Sequence, residues 1–537
     1  MVLQLTRPDT ARDLDLGTET HGTGTGCADP DGAASLIERF RGAVSQTFGR
    51  ADVDVIGQQR GLPPFVMRDV LAAEPMRAFL PERFGGFGDS LAPGQAVMEE
   101  AAYHSLALGL TMGISGGLFV QPVAKYADRS VAERILPQLA GRGSLGGLMI
   151  TEPGYGTDAL SMQTAWRREG EHYRVRGTKH WAGLSGWADY WLVMARPGKD
   201  GGDLGNGIDM FVCDQSDPEQ QIELVERYPS LGLYGIPYGR NRVDVRVPLT
   251  HRLEGDRGGL RMMMDLLHRS RSSFAGNAVG FIHRMVDEAV AHCTERVVSG
   301  RQLLDYDQVR ARIARLQGQW ACASALSLWS SEHAGLSVDL SREAQSASSV
   351  KAVASDYLQE SAQSLLQLVG AKGYALNHIA GRAVVDSRPF QIFEGSNDVL
   401  YAQVGAKLAD QMRRAGTSNL REQLARDETT AAGADLAGAQ LEINIDERPA
   451  QRRLVEIGAI ATRVFTLTTV HTMGRRGFDQ DHVSLAVAAL REDVGALASR
   501  LHRSLAPEVS TGPIPSGAWR ELMAPATGFA AARAATA

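Results

Sequence analysis

The spacing of apolar residues divides the chain into a helical region, a strand region and a second, longer helical region. From residue 33 to 147, apolar residues recur every three or four positions, as in 131–136, which is the period of a helix with one buried face. From 148 to 250 they alternate with polar residues or form short runs bounded by Gly, Pro and Asp, as in 243–247. These patterns predict an N-terminal helical domain followed by an antiparallel β domain.

The helical period returns at residue 251 and continues to 412. Ala278, Ile282, Met285 and Ala289 share one face of a predicted helix, which is typical of a C-terminal domain built like a four-helix bundle. Helical, strand and helical regions in this order predict an α+β fold in which the helical parts pack together and leave a cleft against the β domain.

The two ends of the chain and one internal stretch differ in composition. Residues 1–32 are rich in Gly, Thr and Asp and are predicted to be a flexible leader. Residues 413–450 are polar and rich in Ala and Gly, which predicts a linker or a loosely packed arm. Two further amphipathic helices, at about 452–473 and 481–505, predict an additional helical region within 451–537 that ends in a Pro/Gly/Ala-rich tail.

The composition is that of an ordinary soluble globular protein, with 44% apolar and 22% charged residues. A net charge of -6 gives no electrostatic reason to expect a nucleic-acid partner. The four cysteines are scattered without a C-x-x-C spacing, so we predict neither a disulfide framework nor a metal site. This cysteine usage and the lack of an apolar core in the first thirty residues favour a cytoplasmic protein without a signal peptide.

One uncharged run, Ser105 to Ala124, has about the length of a membrane span. It contains Gly109, Gly113 and Pro122, which interrupt a helix. We therefore predict two buried helical pieces that meet at a glycine-rich joint, and no membrane span.

The stretch Arg388 to Asp398 contains a candidate catalytic acid, Glu394, between an apolar pair and a Gly-Ser-Asn turn. Pro389 and the turn predict a break between two helices. A carboxylate held in a partly dry cleft at such a break has a raised pKa and can act as a base. From these residues alone, a cap of the next helix is the favoured role of Glu394, because most glutamates in turns have that role.

Six motifs in order make the chain resemble the acyl-CoA dehydrogenase family over roughly residues 33 to 408. The motifs are Pro-Glu-Arg-Phe-Gly-Gly-Phe-Gly at 81–88, Thr-Glu-Pro-Gly-Tyr-Gly-Thr-Asp at 151–158, Gly-Thr-Lys-His-Trp at 177–181, Glu-Arg at 295–296, Gln-Leu-Val-Gly-Ala-Lys-Gly at 367–373 and Gln-Ile-Phe-Glu-Gly-Ser at 391–396. Any one of them occurs by chance, whereas six in the family's order do not. The resemblance implies the family's fold and FAD as cofactor, because removal of hydrogen from two unactivated carbons needs a two-electron acceptor.

By position, the resemblance assigns residues of the β domain to the flavin end of the cofactor. Ile150, Thr151 and Thr157 would hold the flavin ring and the thioester end of the substrate, and Trp181 would flank the isoalloxazine. Gly183 stands where the family usually has a hydroxyl residue that donates toward flavin N5. At this position water or backbone would have to replace that donor.

The resemblance assigns residues of the C-terminal domain to the other end of FAD. The pyrophosphate and adenine would be served by Arg296, Gln308, Gln367, Gly370 and Ala371. Since that FAD would be bound mainly by a neighbouring subunit, the resemblance implies a homodimer or homotetramer with a shared site. Ser396 and Asn397 would close over FAD from the opposite side.

Glu394 matches the family's base, which removes the α-proton of an acyl thioester while the β-hydrogen leaves as hydride to flavin N5. The product would be the trans-2-enoyl thioester. Arg271 and Gly395 would contact the substrate, and the backbone N–H at Glu394 would donate to the thioester oxygen. Some family members carry the base on an earlier helix, where this chain has Ser270.

Several alternatives stay open at this stage. Because position 183 is glycine, two electron acceptors stay open. A dehydrogenase would pass its electrons to a partner such as an electron-transfer flavoprotein, whereas an oxidase would pass them to O2. A flavin monooxygenase relative is opposed by the retained Glu394, and a flavin-bound nucleic-acid-binding protein is opposed by the acidic balance. The thioester can be carried by CoA or by a carrier protein, since both present the same reacting end.

Overall fold

The computed structural model describes residues 32–50, 62–199, 202–255, 258–375, 377–502 and 509–513. The predicted leader, apart from its last residue, and most of the predicted tail lie outside the described residues. Contacts divide the chain into two compact units. The first extends to Leu266 and includes Ala334–Asp339, and the second comprises Leu267–His333 and the chain from Leu340 onward.

The N-terminal part of the first unit is helical, as predicted. Two of its helices begin with side-chain caps, because Ser105 Oγ accepts from the amide of Leu108 and the Asp128 carboxylate accepts from the amide of Ser130. The helices are α1 (Ala33–Arg50), α2 (Pro64–Leu71), α3 (Ala92–His104), α4 (Leu106–Gly113), α5 (Gln121–Tyr126) and α6 (Arg129–Gly141).

The apolar run at 105–124 consists of α4, a π-helical segment (Ile114–Val120) and α5. Within the described residues, Leu106–Tyr126 is the one helical run long and apolar enough to cross a membrane, and 83% of its apolar window is buried inside the protein. Gly116 lies against the ring of Phe79, where a Cβ would come within 2.3 Å of the ring. The predicted glycine-rich joint is thus a π-helical stretch in the core, which favours a core segment over a membrane span.

The rest of the first unit is a seven-stranded sheet in the order β1-β4-β2-β3-β7-β6, with β5 paired to β4. Four of its pairings are antiparallel, as predicted, but β4 pairs in parallel with both β1 and β2. Alternating side chains predict strands but do not encode which strands are neighbours, so the sequence pattern missed these pairings. The strands are β1 (Gly146–Met149), β2 (Ala165–Glu169), β3 (His172–Gly183), β4 (Tyr190–Pro197), β5 (Asp209–Asp214), β6 (Glu223–Arg227) and β7 (Tyr238–Pro248).

The second unit is built around one long buried helix. The helix α10 (Ala344–Val369) carries mainly small buried side chains, so neighbouring helices approach it closely. Its neighbours include α8, α9, α11 and α12. The helices in this part are α7 (Gly259–Ser273, which begins in the first unit), α8 (Ala275–Glu295), α9 (Asp307–His333), α10, α11 (Ile379–Ser387) and α12 (Asn397–Ala415).

Residues 413–450, which were predicted as a linker or a loosely packed arm, contain two short helices with buried apolar side chains. The helices are α13 (Leu420–Ala425) and α14 (Ala431–Ala437), and Leu420, Leu424 and Leu441 are buried. Each of these helices is shorter than two turns, so it has too few apolar residues to show a period. The two predicted helices that follow are present as α15 (Gln451–Arg475) and α16 (Gln480–His502).

Candidate active site

In the first unit, a buried ion pair fixes the backbone of the Thr-Glu-Pro motif. Lys179 on β3 is fully buried, and its Nζ donates to the carbonyl of Ile150 at 2.9 Å and to Glu152 Oε1 at 2.8 Å. The amide of His180 donates to the carbonyl of Thr151 at 3.0 Å. Burial lowers the pKa of Lys179 to about 8, although the neighbouring carboxylate of Glu152 opposes this shift.

Trp181 is turned out of the sheet by a β-bulge. The register of β3 against β7 shifts between His180 and Ala182, and Trp181 has a left-handed backbone with φ of 56°. Its indole is 53% exposed, and its ring centroid lies 4.6 Å from that of Tyr228. An exposed aromatic face held in a rigid strand suits the stacking of a planar ring.

Gly183 ends β3 and packs against the π-helical segment. A Cβ at this position would lie 2.7 Å from Cδ1 of Ile114, and 3.5 Å from side-chain atoms of Ile236 and Tyr238. A methyl group of Ile114 therefore fills the space that a side chain at position 183 would need. Thr157, also assigned to the flavin end, is exposed in the loop that follows Thr151.

In the second unit, Glu394 lies in a sharp turn between α11 and α12, which we call the Glu394 turn (residues 391–397). Glu394 and Gly395 both have a left-handed backbone, with φ of 54° and 93°. The left-handed conformation is strained for a residue with a Cβ, and strain of this kind clusters at functional sites. Among the described residues, no backbone carbonyl accepts from the Glu394 amide, whereas its carbonyl accepts from Arg271 Nε at 3.0 Å.

The Glu394 carboxyl is held by Ser270, whose Oγ donates to Oε1 at 2.8 Å. Burial raises the pKa of Glu394 above its usual range, while the Ser270 hydrogen bond and the charges of Arg271 and Lys351 oppose this shift. The net direction is upward. The carboxyl therefore combines a raised pKa with a fixed orientation, as a general base requires.

Lys351 was missed by the sequence patterns. It is buried on α10, and its Nζ donates to the carbonyl of Gly395 and to Asn397 Oδ1, both at 2.9 Å. Burial lowers the pKa of Lys351 to about 8. A lone lysine among the small and apolar residues of 348–355 was the available signal, since a buried lysine needs fixed partners.

Asn397 is buried, and its side chain has partners inside the protein at both ends. Its Nδ2 donates to Asp356 Oδ1 at 2.7 Å and its Oδ1 accepts from Lys351. The side chain thus holds the turn, and the predicted contact of Asn397 with FAD stays a prediction. Ser396 occupies the N-cap position of α12 without capping it through its side chain, so its hydroxyl is not used there.

The residues assigned to the adenine and pyrophosphate line two neighbouring concavities of the second unit. Gln308 and Gln367 share one of about 240 Å³. Gln367, Gly370 and Ala371 share another of about 460 Å³. Arg296 lies outside the linings of both, exposed at the end of α8.

These residues fit the FAD that the motifs imply. Gly370 has φ of 72°, and a Cβ there would meet nothing within 4 Å, so backbone is open to a ligand. The exposed glutamine amides beside it are hydrogen-bonding groups for a base and a pyrophosphate. In the first unit, the exposed side chain of Trp181 offers an aromatic face that a planar ring could stack on.

Comparisons with known proteins agree with these features. Models of the acyl-CoA dehydrogenase N-terminal, middle and C-terminal domains match residues 38–142, 147–244 and 257–409. The cyclohexane-1-carbonyl-CoA dehydrogenase of Geobacter metallireducens is 28% identical over 352 residues, which are 65% of this chain and 89% of that protein. The acyl-CoA dehydrogenase of Bacillus subtilis is 26% identical over 60% of this chain and 83% of its own length.

Solved structures share the fold. Butyryl-CoA dehydrogenase from Megasphaera elsdenii superposes with a TM-score of 0.62 at 23% identity, over 70% of this chain and 98% of its own. An acyl-CoA dehydrogenase from Bacillus anthracis complexed with FAD gives a TM-score of 0.72 at 17% identity, over 89% of both chains. A match over 89% of this chain must reach beyond residue 409, so the likeness in fold continues into the helices α13 to α16.

The three domain models follow one another in the family's order and together match well over half of the chain. The chain belongs to the acyl-CoA dehydrogenase family, and it is an FAD-dependent oxidoreductase acting on CH–CH groups.

Proposed function

We propose that the protein converts an acyl thioester to the trans-2-enoyl thioester, with Glu394 as the base that removes the α-proton. The observation that carries this proposal is the Glu394 carboxyl itself, largely but not fully desolvated, oriented by Ser270 and placed on a strained turn. A cap of a helix would need none of these features. The retained glutamate also counts against a flavin monooxygenase.

The raised pKa of Glu394 suits this role. A carboxylate with an ordinary pKa is too weak a base for a carbon acid, whereas a desolvated one has a greater affinity for the proton it receives. Ser270 limits the shift, because its hydrogen bond favours the ionised form.

The α-proton becomes acidic only if the developing enolate charge is stabilised. We assign this role to the Glu394 amide, because it donates to no backbone carbonyl among the described residues. Arg271 and Lys351 hold the two carbonyls that follow this amide, those of Glu394 and Gly395. The two cations thereby fix the peptide groups of the turn and add positive potential beside it.

FAD, when bound, supplies the two-electron acceptor for the β-hydrogen. We assign Ile150, Thr151, Thr157, Trp181 and Gly183 to its flavin end. To its pyrophosphate and adenine end we assign Arg296, Gln308, Gln367, Gly370 and Ala371.

Ser396 and Asn397 complete the proposed cofactor site, and Thr157, Arg271 and Gly395 would contact the thioester. Three further expectations stay predictions: a homodimer or homotetramer that shares the cofactor site, an electron-transfer flavoprotein as electron acceptor, and a cytoplasmic location. The named relatives act on CoA thioesters, which favours CoA over a carrier protein.

An oxidase that uses O2 is a second candidate, and the surroundings of Gly183 favour it. The position lacks a hydroxyl, and the Cδ1 methyl group of Ile114 fills the adjoining space. An oxidase would form peroxide in a 1:1 ratio to enoyl product with no added electron carrier. A dehydrogenase would turn over only with an added carrier.

The test is anaerobic bleaching of the flavin absorbance in the purified yellow protein. A panel of saturated acyl thioesters of different chain length is offered on CoA and, in parallel, on carrier protein. We expect at least one thioester to bleach the flavin and to be recovered as its 2-enoyl form. If no thioester of the panel bleaches the flavin while dithionite does, the proposed reaction is wrong.

A further inference from the structure

The C-terminal extension (residues 416–502) packs directly against α12, the helix that begins at the end of the Glu394 turn. Gly405 of α12 and Gly458 of α15 lie opposite each other. A Cβ at Gly458 would lie 1.9 Å from the carbonyl oxygen of Tyr401, and a Cβ at Gly405 would lie 2.0 Å from that of Leu454. Only glycine fits at such distances, so the backbones of the two helices are in contact.

Arg463 of α15 is the charged residue at this contact. It is buried, its Nη2 donates to Asp356 Oδ2 at 2.5 Å, and its Nη1 donates to the Tyr401 hydroxyl. A buried guanidinium is costly unless it is paired and hydrogen-bonded. Burial by itself raises the pKa of Asp356, but Arg463, Tyr401 and Gln391 outweigh it, so the pKa lies below its usual range and the carboxylate is ionised.

The other oxygen of Asp356 holds the Glu394 turn at both ends. Its Oδ1 accepts from Gln391 Nε2 and from Asn397 Nδ2, each at 2.7 Å. These two residues lie three positions before and three positions after Glu394. One carboxylate therefore binds the turn through one oxygen, and binds Arg463 and Tyr401 through the other.

We infer that Arg463 of the extension is a positioning residue for Glu394, because it fixes the carboxylate of Asp356 that holds both ends of the turn. The inference rests on the proposed role of Glu394 as the base. The turn needs such support because two consecutive residues, Glu394 and Gly395, have a left-handed backbone. The extension is thus part of the scaffold of the active site and not only a cover for an interface.

The test compares Arg463→Met with Arg315→Met in the full-length protein loaded with FAD. Arg315 of α9 is a matched control, because it also joins the extension to the bundle, through Asp493 at 2.7 Å and Glu492 at 3.2 Å. It has no hydrogen bond to Asp356 or to the turn among the described residues. The readouts are hydrogen–deuterium exchange of the peptide 388–400, kcat and KM.

In Arg463→Met, amide exchange in 391–397 should become at least about threefold faster, because the turn opens locally more often when Asp356 no longer holds its two ends. We expect kcat to fall by about tenfold or more, because misplacement of a catalytic group by ~1 Å costs on the order of 10²-fold. KM should change by less than about threefold, because uniform substrate binding is retained. Arg315→Met should leave the exchange of 391–397 and kcat within about twofold of the wild type.

Wild-type exchange in 391–397 in Arg463→Met, or equal losses of kcat in both variants, would overturn the inference. If Arg463→Met does not fold, Arg463→Gln replaces it, since glutamine is polar but uncharged and too short to reproduce both Nη hydrogen bonds, and the same outcomes apply. The exchange readout needs no substrate, so it separates this inference from the proposed function. If Glu394→Gln proved fully active, the function would fail while the exchange result would still decide whether Arg463 holds the turn.

Discussion

Replacement of Ser270 by alanine tests how the Glu394 carboxylate is kept ionised. In the wild type, Ser270 Oγ donates to Glu394 Oε1 at 2.8 Å and lowers a pKa that burial raises. The substitution removes this donor and leaves the charges of Arg271 and Lys351 in place. The ionised form of Glu394 loses stabilisation, so its pKa rises further and the acid limb of the pH profile moves to higher pH.

The magnitude follows from the type of hydrogen bond. A bond to a charged group contributes ~1.5–3 kcal/mol, and the lower end applies here because Glu394 keeps some surface in solvent. A loss of about 1.4 kcal/mol changes the protonation equilibrium about tenfold. On the acid limb, kcat/KM at a given pH should therefore fall about tenfold, and well above that limb it should stay within about twofold of the wild type.

The assay is the pH profile of kcat/KM, with Ser272→Ala as the matched control. Ser272 is buried on the same helix, α7, but its hydroxyl donates to the carbonyl of His268 and not to Glu394. The control should keep the wild-type profile. An acid limb that stays in place or moves to lower pH in Ser270→Ala would refute the reasoning.

Three further predictions concern the turn and the β domain. Lys179→Met should lower the free energy of unfolding in urea by roughly 3–5 kcal/mol, because it leaves the carboxylate of Glu152 buried without its partner. The double variant Lys179→Met/Glu152→Gln should recover part of that loss. Equal stability of the single and double variants would contradict this prediction. Gly183→Ser should lower the free energy of unfolding by about 1–3 kcal/mol, because the new Cβ would meet Cδ1 of Ile114. Adding Ile114→Val removes that methyl group, so the double variant should recover most of the loss in thermal unfolding. Gly395→Ala should reduce kcat more than it changes KM in steady-state kinetics. A left-handed backbone at 395 costs roughly 1–2 kcal/mol for alanine, and relief of this strain would displace the base. An unchanged kcat would show that the turn tolerates the strain.

The sequence predicted the order of helical and strand regions well, because one-sided burial leaves a period of 3.6 or 2 in the apolar residues. It also singled out Glu394 as the candidate base, because its neighbours in the chain form a motif. The partners that hold Glu394 could not be found in this way. Ser270 lies 124 positions before it and Lys351 lies 43 before it, and only the folded helices bring them together.

The same limit explains the two places where the structure differs from the prediction. Residues 413–450 fold onto α15 through α14, where Gly433 lies so close that a Cβ would come within 2.0 Å of the carbonyl oxygen of Val464. Tertiary contact of this kind leaves no local period. The parallel pairings of β4 likewise depend on the order of strands in space and not on the alternation within each strand.

The most direct test of the central claim is the rate at which a saturating acyl thioester reduces the bound flavin, measured anaerobically in a stopped-flow instrument for the wild type and for Glu394→Gln. Glutamine keeps the shape of the side chain and cannot accept the α-proton. Since general-base catalysis contributes typically 10²–10⁴-fold, we predict that the variant reduces its flavin at least about a hundredfold more slowly while it still binds FAD and the thioester. Flavin reduction in Glu394→Gln at the wild-type rate would contradict the assignment of Glu394 as the base.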